Sequence, residues 1–246
     1  MIDVISRSEP FTAPIASTPW ELVAQTKWGA YASEIERRAI IQAQTMAGNP
    51  TRALEVGCEG GRWSKMLWDL GWEMTCLDVD REMLDLCQRK IPRATCLLAR
   101  PEDRTLPCPT AATRLLLCVE VAPVIQSDWF LPEANRILEP GGLLVGVFWN
   151  RLSWRAALNR LKSRLSGAGP SRFYTRSYPK WRKALPSHGF DLVYEEGFCW
   201  GPVGRSSDSA LGPLWIHLER VCQLHRLTVF SPWVMFILRK STAKSV

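Results

Sequence analysis

A chain of 246 residues, 46% hydrophobic and 22% charged, can bury a substantial core and falls outside the disordered and collagen-like classes. Its longest clean apolar runs, LLVGVFW at 143–149 and WVMFIL at 233–238, have strand length, so no membrane-spanning helix is expected. The formal charge of +7 is unevenly placed, because residues 151–190 hold ten Lys/Arg and no Asp/Glu.

Residues 1–18, with Pro10 and Pro14, read as a flexible lead without a charged-then-apolar signal pattern. A cytoplasmic location is therefore expected, with a peripheral place at a membrane as an option. Residues 19–246 read as a single domain. Thr18-Pro19-Trp20-Glu21 carries a capping Thr, a first-turn Pro and a Glu three residues after the cap. One or two helices should follow over 19–48 and stop at Gly48-Asn49-Pro50. ALEVG (53–57) is a first strand. Arg62 to Leu70 places Trp63, Met66, Leu67 and Leu70 at helical spacing, with Gly71 as the stop.

The pattern repeats with EMTCLDV (73–79), a helix capped by Asp80 and running to about Lys90, and ATCLL (94–98). RLLLCVEV (114–121) is a fourth strand. Ser127 is the expected cap of a helix through Leu138, closed by Glu139-Pro140-Gly141-Gly142, and LLVGVFW is a fifth strand. Strands that are apolar throughout and alternate with helices predict a parallel sheet covered on both faces. FDLVYEEGFC (190–199) and FSPWVMFILRK (230–240) are strands flanking a short helix near Leu214–Leu224, with the last strand returning antiparallel.

The basic segment starts a second theme. From 151 to 165 it places Trp154, Leu158, Leu161 and Leu165 on one helical face, with Arg155, Lys162 and Arg164 largely elsewhere. A helix packed as a lid over the sheet is one account. An anionic substrate, a membrane surface with a lipid acceptor, and RNA are others; RNA is the weakest, since no added RNA-binding module is visible. The eight cysteines form no C-x-x-C pair and have no His at ligand spacing, so free thiols and no metal site are expected.

The chemistry concentrates in LEVGCEGGRW (54–63), a strand entering a glycine-rich turn and a helix. Gly57, Gly60 and Gly61 do not match the G-x-G-x-x-G of a pyrophosphate loop. Glu55 at the strand end would repel a phosphate and suits a ligand with a cationic amine. Glu55-Val56-Gly57-Cys58-Glu59-Gly60-Gly61, Asp78 in TCLDVDREML 23 residues on, and RILEPGGLLVGVFW together resemble the class I S-adenosylmethionine-dependent methyltransferases, chiefly over residues 50–150. The resemblance implies a Rossmann-like, doubly wound α/β sheet of seven strands in the order 3-2-1-4-5-7-6, strand 7 antiparallel. It implies S-adenosyl-L-methionine as cofactor and methyl transfer to a small organic acceptor, anionic or lipid-like among the options.

It also implies roles. Glu55 and Gly57 would hold the methionine end, Asp78 the ribose, and Gly61 the turn of the loop. Cys58, Glu59, Val79, Glu102 and Glu120 complete the expected cofactor set. Glu59 replaces a glycine of the family's loop, and Arg100-Pro101 stands where the family has an acid and a donating N–H. These departures make a catalytically degenerate binding or scaffold protein the alternative. Trp28, Tyr31, Trp149, Asn150 and Tyr174 are the candidates for the substrate side, and no general base stands out. His188 reads as structural.

Overall fold

The computed structural model describes residues 17–167, 169, 172–204 and 206–242. Residues 1–16 of the lead expected over 1–18 therefore lie outside the described residues. Thr18 is buried and closes a capping box with Glu21 at the start of α1 (Pro19–Gln25), each side chain bonding the other's backbone N–H. Thr26 both ends α1 and caps α2 (Lys27–Ala47), its hydroxyl accepting from Gly29 N–H. Then come β1 (Arg52–Val56), α3 (Arg62–Asp69), β2 (Glu73–Asp78), α4 (Arg81–Lys90), β3 (Thr95–Leu98), β4 (Thr113–Cys118), α5 (Ala122–Ile125), α6 (Phe130–Ile137), β5 (Leu138–Trp149) and α7 (Trp154–Ser166). α8 (Tyr178–Ala184), β6 (Phe190–Phe198), α9 (Gly212–Val221) and β7 (Trp233–Lys240) complete the chain. Among the described residues, no helix is long and apolar enough to cross a membrane.

The strands form one sheet in the order β3-β2-β1-β4-β5-β7-β6, with β7 antiparallel to both neighbours. This is the expected order. The period of two in β4 and β5 sends Leu115, Leu117, Val145 and Val147 into a layer with α2 and α3. The same period sends Leu116, Cys118, Leu144 and Phe148 into the opposite layer with α6 and α8. Each fully buried Leu contributes about 1.5–3 kcal/mol, so an acid at Leu116 would both lose that and bury an unpaired charge. The parallel strands β1, β2, β3 and β4 end along one edge, and the loops that follow them build the site.

Three local readings differ from the structure. Ser127 does not cap α6: its hydroxyl donates to Val124 O at 2.7 Å and finishes α5, and α6 starts at Phe130. The nearer carbonyl captured the side chain. Residues 138–142 are not only a helix stop, since Leu138 already pairs with Thr113 before the register slips at Thr113/Leu115. Gly141, at φ 75°, supplies the left-handed residue that this irregularity requires. The helix expected in 151–165 forms as α7, but its apolar row stays in solvent. Trp154 is 37% exposed and Leu165 80%, and only Ala156 is buried.

Candidate functional site

β1 alternates so that Leu54 and Val56 enter one core layer while Glu55 turns to the other, toward α3. There Ser64 Oγ donates to the Glu55 carboxylate. Glu55 is 2% exposed, and burial, opposed by the Ser64 bond, pushes its pKa up to about 8. The loop after β1 uses the N–H groups of Gly57 and Cys58 on a single acceptor, Leu77 O, at 2.7 and 3.1 Å. Those donors are therefore not offered to a ligand, and the loop is no phosphate cradle. Glu55 lines the cavity beside it, which suits a cationic ligand.

Glu59 is the odd residue of the loop, at φ 49°. Its side chain is held by Thr18 Oγ1, donating to Oε2 at 2.8 Å, and by Trp20 N–H, donating to Oε1 at 3.2 Å. The carboxylate thus latches α1 onto the loop. Burial raises its pKa against the lowering effect of the Thr18 and Trp20 bonds. Gly60 lies under the latch, and a Cβ there would sit 2.3 Å from the Thr18 methyl. Lys90 pairs with Glu21 at 2.5 Å beside it. Gly61, at φ 77°, is forced by Cys87, whose Sγ lies 2.6 Å from where a Cβ would stand.

Beneath the loop, the thiols of Cys58, Cys76 and Cys87 are buried within 4.8 Å of one another, and Cys76 Sγ donates to Ser64 Oγ at 3.1 Å. They are packed into the apolar layer around Trp63, Leu67 and Leu84.

At the end of β2, Asp78 accepts Glu59 N–H on Oδ2 at 2.8 Å and Asp80 N–H on Oδ1 at 3.1 Å. A carboxylate oxygen offers two lone pairs, so one remains on each oxygen. These groups open on a cavity of ≈ 870 Å³, lined by Glu55, Gly57, Cys58, Glu59, Asp78, Val79 and Glu120 among the expected residues. Glu120 sits at φ 61° after β4. Two non-glycine residues in left-handed backbone both line this cavity, as strained positions at functional sites do.

The expectation at Glu102 is corrected. Glu102 lies on a turn, exposed and outside the lining, whereas Asp103 faces the cavity and accepts Arg100 N–H at 2.8 Å. That bond closes the turn and carries Glu102 outward. Gly61 also lies off the lining, acting on the loop from below.

None of the five substrate-side candidates lines the cavity. Trp28 is 1% exposed, tilted against Tyr31. Tyr31 donates to Glu219, and burial together with that carboxylate pushes its pKa above the ordinary tyrosine range. Trp149 stacks on Trp233 at 4.8 Å, and Tyr174 OH accepts from Trp233 Nε1 at 3.1 Å. Asn150 is fully buried; it donates to Val229 O and accepts from the N–H groups of Leu152 and Tyr178. Later parts of the chain claim four of them: Trp233 of β7 holds Trp149 and Tyr174, Glu219 of α9 holds Tyr31, and Val229 and Tyr178 hold Asn150. His188 lines a separate groove with α8.

Sequence reasoning missed Pro19, Trp20, Arg62, Trp63, Trp129 and Phe173, which also line the cavity. The capping box did place α1, and only its latch to Glu59 turns it into a wall. Arg62 lies 4.1 Å over the Trp63 ring and donates to Ser33 and to the buried Glu36. With Arg100 it brings positive charge to the cavity wall.

Residues 54–146 match the family described as Methyltransferase domain. An uncharacterized methyltransferase of Mycobacterium tuberculosis is 26% identical over 161 residues, covering 60% of this chain. The match spans 65% of that relative's length. Among solved structures, an S-adenosylmethionine-dependent methyltransferase of Mesorhizobium loti superposes with a TM-score of 0.57 at 17% identity, over 83% of this chain and 97% of that one. A geranyl diphosphate methyltransferase in complex with GPP and sinefungin gives 0.58 at 12% identity, over 87% and 82%.

Proposed function

We propose that the chain, which has the fold of the class I S-adenosylmethionine-dependent methyltransferases and matches the Methyltransferase domain over residues 54–146, transfers a methyl group from S-adenosylmethionine to a small organic acceptor. The observation that carries this reading is the open cavity of ≈ 870 Å³ at the ends of β1, β2 and β4, which holds carboxylates and no phosphate cradle. The cofactor supplies an electrophilic methyl group on a sulfonium, so the chain's task is positioning and exclusion of water.

In this reading the free lone pairs of Asp78 take the two ribose hydroxyls. Glu55 and the Gly57 carbonyl face the cationic amine, and Arg62 takes the carboxylate. Val79, Met83 and Leu98 flank the adenine, with Asp103 accepting from its amino group in place of Glu102. The rings of Trp20, Trp129 and Phe173 favour an acceptor with an apolar body. An apolar and anionic acceptor, the class named for geranyl diphosphate methyltransferase, fits these rings together with Arg62 and Arg100 of the wall, and the basic α7, outside that lining, supports a peripheral place at a membrane.

The scaffold reading would need the cavity blocked by Glu59 or Arg100. The Glu59 carboxylate is instead engaged by Thr18 and Trp20, which supports the enzyme. Calorimetric titration with S-adenosylmethionine tests it, alongside an Asp78→Ala variant. Binding near micromolar to tens of micromolar is expected, weakened at least about tenfold in the variant. Folded protein that takes up no cofactor at millimolar concentration would overturn the proposal.

A further inference from the structure

Among the described residues, two helices each carry four exposed large apolar side chains. Taking about 100° per residue, Trp154, Leu158, Leu161 and Leu165 of α7 fall within an arc of about 60°. Ala156, the buried residue of that helix, lies almost opposite. The stripe therefore points away from the protein, with Leu158 42%, Leu161 54% and Leu165 80% exposed. Lys162 and Arg164 flank it about 80° to either side, both exposed. α9 repeats the design: Leu214, Leu218 and Val221 share an exposed arc, while Gly212 and Glu219 are buried on the far side.

Both helices are fixed to the same segment. Arg155 donates to the carbonyls of Cys199, Gly201 and Val203, and Trp154 Nε1 to Trp200 O. Gly201 in turn lies against Trp215 of α9. β5 and β6, which lead into these excursions, both end opposite Trp233, at Trp149 and Phe198.

We propose that α7, supported by α9, docks the protein on an anionic lipid bilayer. A stripe of Trp and Leu bordered on both sides by Lys and Arg is the pattern of a helix lying in the headgroup plane, with rings and methyls below it and cations level with the phosphates. Charge complementarity chooses this occupant over a second copy, since two α7 helices face to face would bring like charges together. It also chooses anionic over neutral lipid, because residues 151–190 contain ten cations and no acid. A groove of ≈ 630 Å³ adjoins the start of α7, lined by Arg151, Leu152, Arg176 and Lys180 and by Asp128, which pairs with Arg176; its net charge is still positive. Trp181 Nε1 is buried in its wall without a hydrogen-bond partner among the described residues. Here the partner is the bilayer itself, and the inference does not rest on methyl transfer.

The test is sedimentation of the full chain, without cofactor, with vesicles of phosphatidylcholine plus phosphatidylglycerol and with vesicles of phosphatidylcholine alone. Binding to the mixed vesicles, weakened by salt, and little binding to the neutral ones is expected. Lys162→Gln/Arg164→Gln should lower the partition coefficient on mixed vesicles about thirtyfold, and Leu158→Gln/Leu161→Gln about tenfold or more. All four positions are solvent-exposed, so the variants should keep the wild-type circular dichroism and melting temperature. Three results would overturn the inference: no sedimentation with mixed vesicles at low salt, binding that neither variant changes, or a stable dimer that Leu158→Gln/Leu161→Gln dissociates.

Discussion

Replacing Glu59 by glycine restores the residue of the family's loop, and we expect it to weaken the fold. The gain is small: leaving φ 49° relieves about 1 kcal/mol of left-handed strain, offset by about 0.4–1 kcal/mol of added freedom in the unfolded chain. The loss is larger. The Thr18 hydroxyl, in a residue only 1% exposed, loses a carboxylate acceptor at 2.8 Å, and hydrogen bonds to charged groups contribute about 1.5–3 kcal/mol. The Trp20 N–H bond at 3.2 Å is exposed and adds little. The balance is a destabilisation of about 1–3 kcal/mol, or a melting temperature lower by roughly 2–10 °C for a chain of this size. Thermal unfolding followed by circular dichroism reads it directly. Thr18→Ala should couple to Glu59→Gly, the double variant losing less than the sum of the two. A Glu59→Gly protein that melts at or above the wild-type temperature would refute the latch.

Gly61→Ala should cost about 2–4 kcal/mol, combining left-handed strain with overpacking against Cys87 Sγ; urea unfolding would show a lower midpoint at constant slope. Glu55 gives a pH signature. Its folded pKa, about 8, lies above the ordinary 4.5, so its contribution to stability is present in full below pH 4.5 and is lost as pH rises to about 8. Glu55→Gln should flatten that part of the stability profile. If a cationic ligand settles beside Glu55, binding should release a proton near pH 7, seen as a dependence of calorimetric heat on the buffer's ionisation enthalpy. With Ellman's reagent, the exposed Cys222 should react first, while the buried Cys58, Cys76 and Cys87 react only as fast as the fold opens. Asn150→Ala should lower stability by about 2–4 kcal/mol and leave cofactor affinity within about twofold, since its three bonds tie loops together outside the cavity.

The sheet was legible because its signals are local. Apolar runs of strand length, the glycine-rich stretch at 57–61 and the acids at 55 and 78 can each be read from short segments of sequence. The strand ends followed, and with them seven of the expected residues that line the cavity. Long-range choices were not legible. Nothing near Glu59 announces Thr18 as its partner, 41 residues away. Whether Glu102 or Asp103 faces inward depends on the phase of one turn, settled by the Arg100 N–H bond. Trp149 reads as a residue lining a strand's mouth, yet Trp233 from the antiparallel β7 covers it. For α7 the pattern gave the amphipathic stripe but not its direction, because a small residue, Ala156, makes the contact with the body.

The joint at Thr26 has a mechanical consequence. One residue terminates α1 and begins α2, so α1 is a seven-residue arm on a single pivot, held at its far end by the Glu59 carboxylate and by Lys90. Pro19 and Trp20 on that arm wall the cavity. Were the arm to swing, the bonds of both acidic side chains, Glu59 and Glu21, would have to break together, so in the proposed enzyme the width of the cavity mouth would be tied to those bonds.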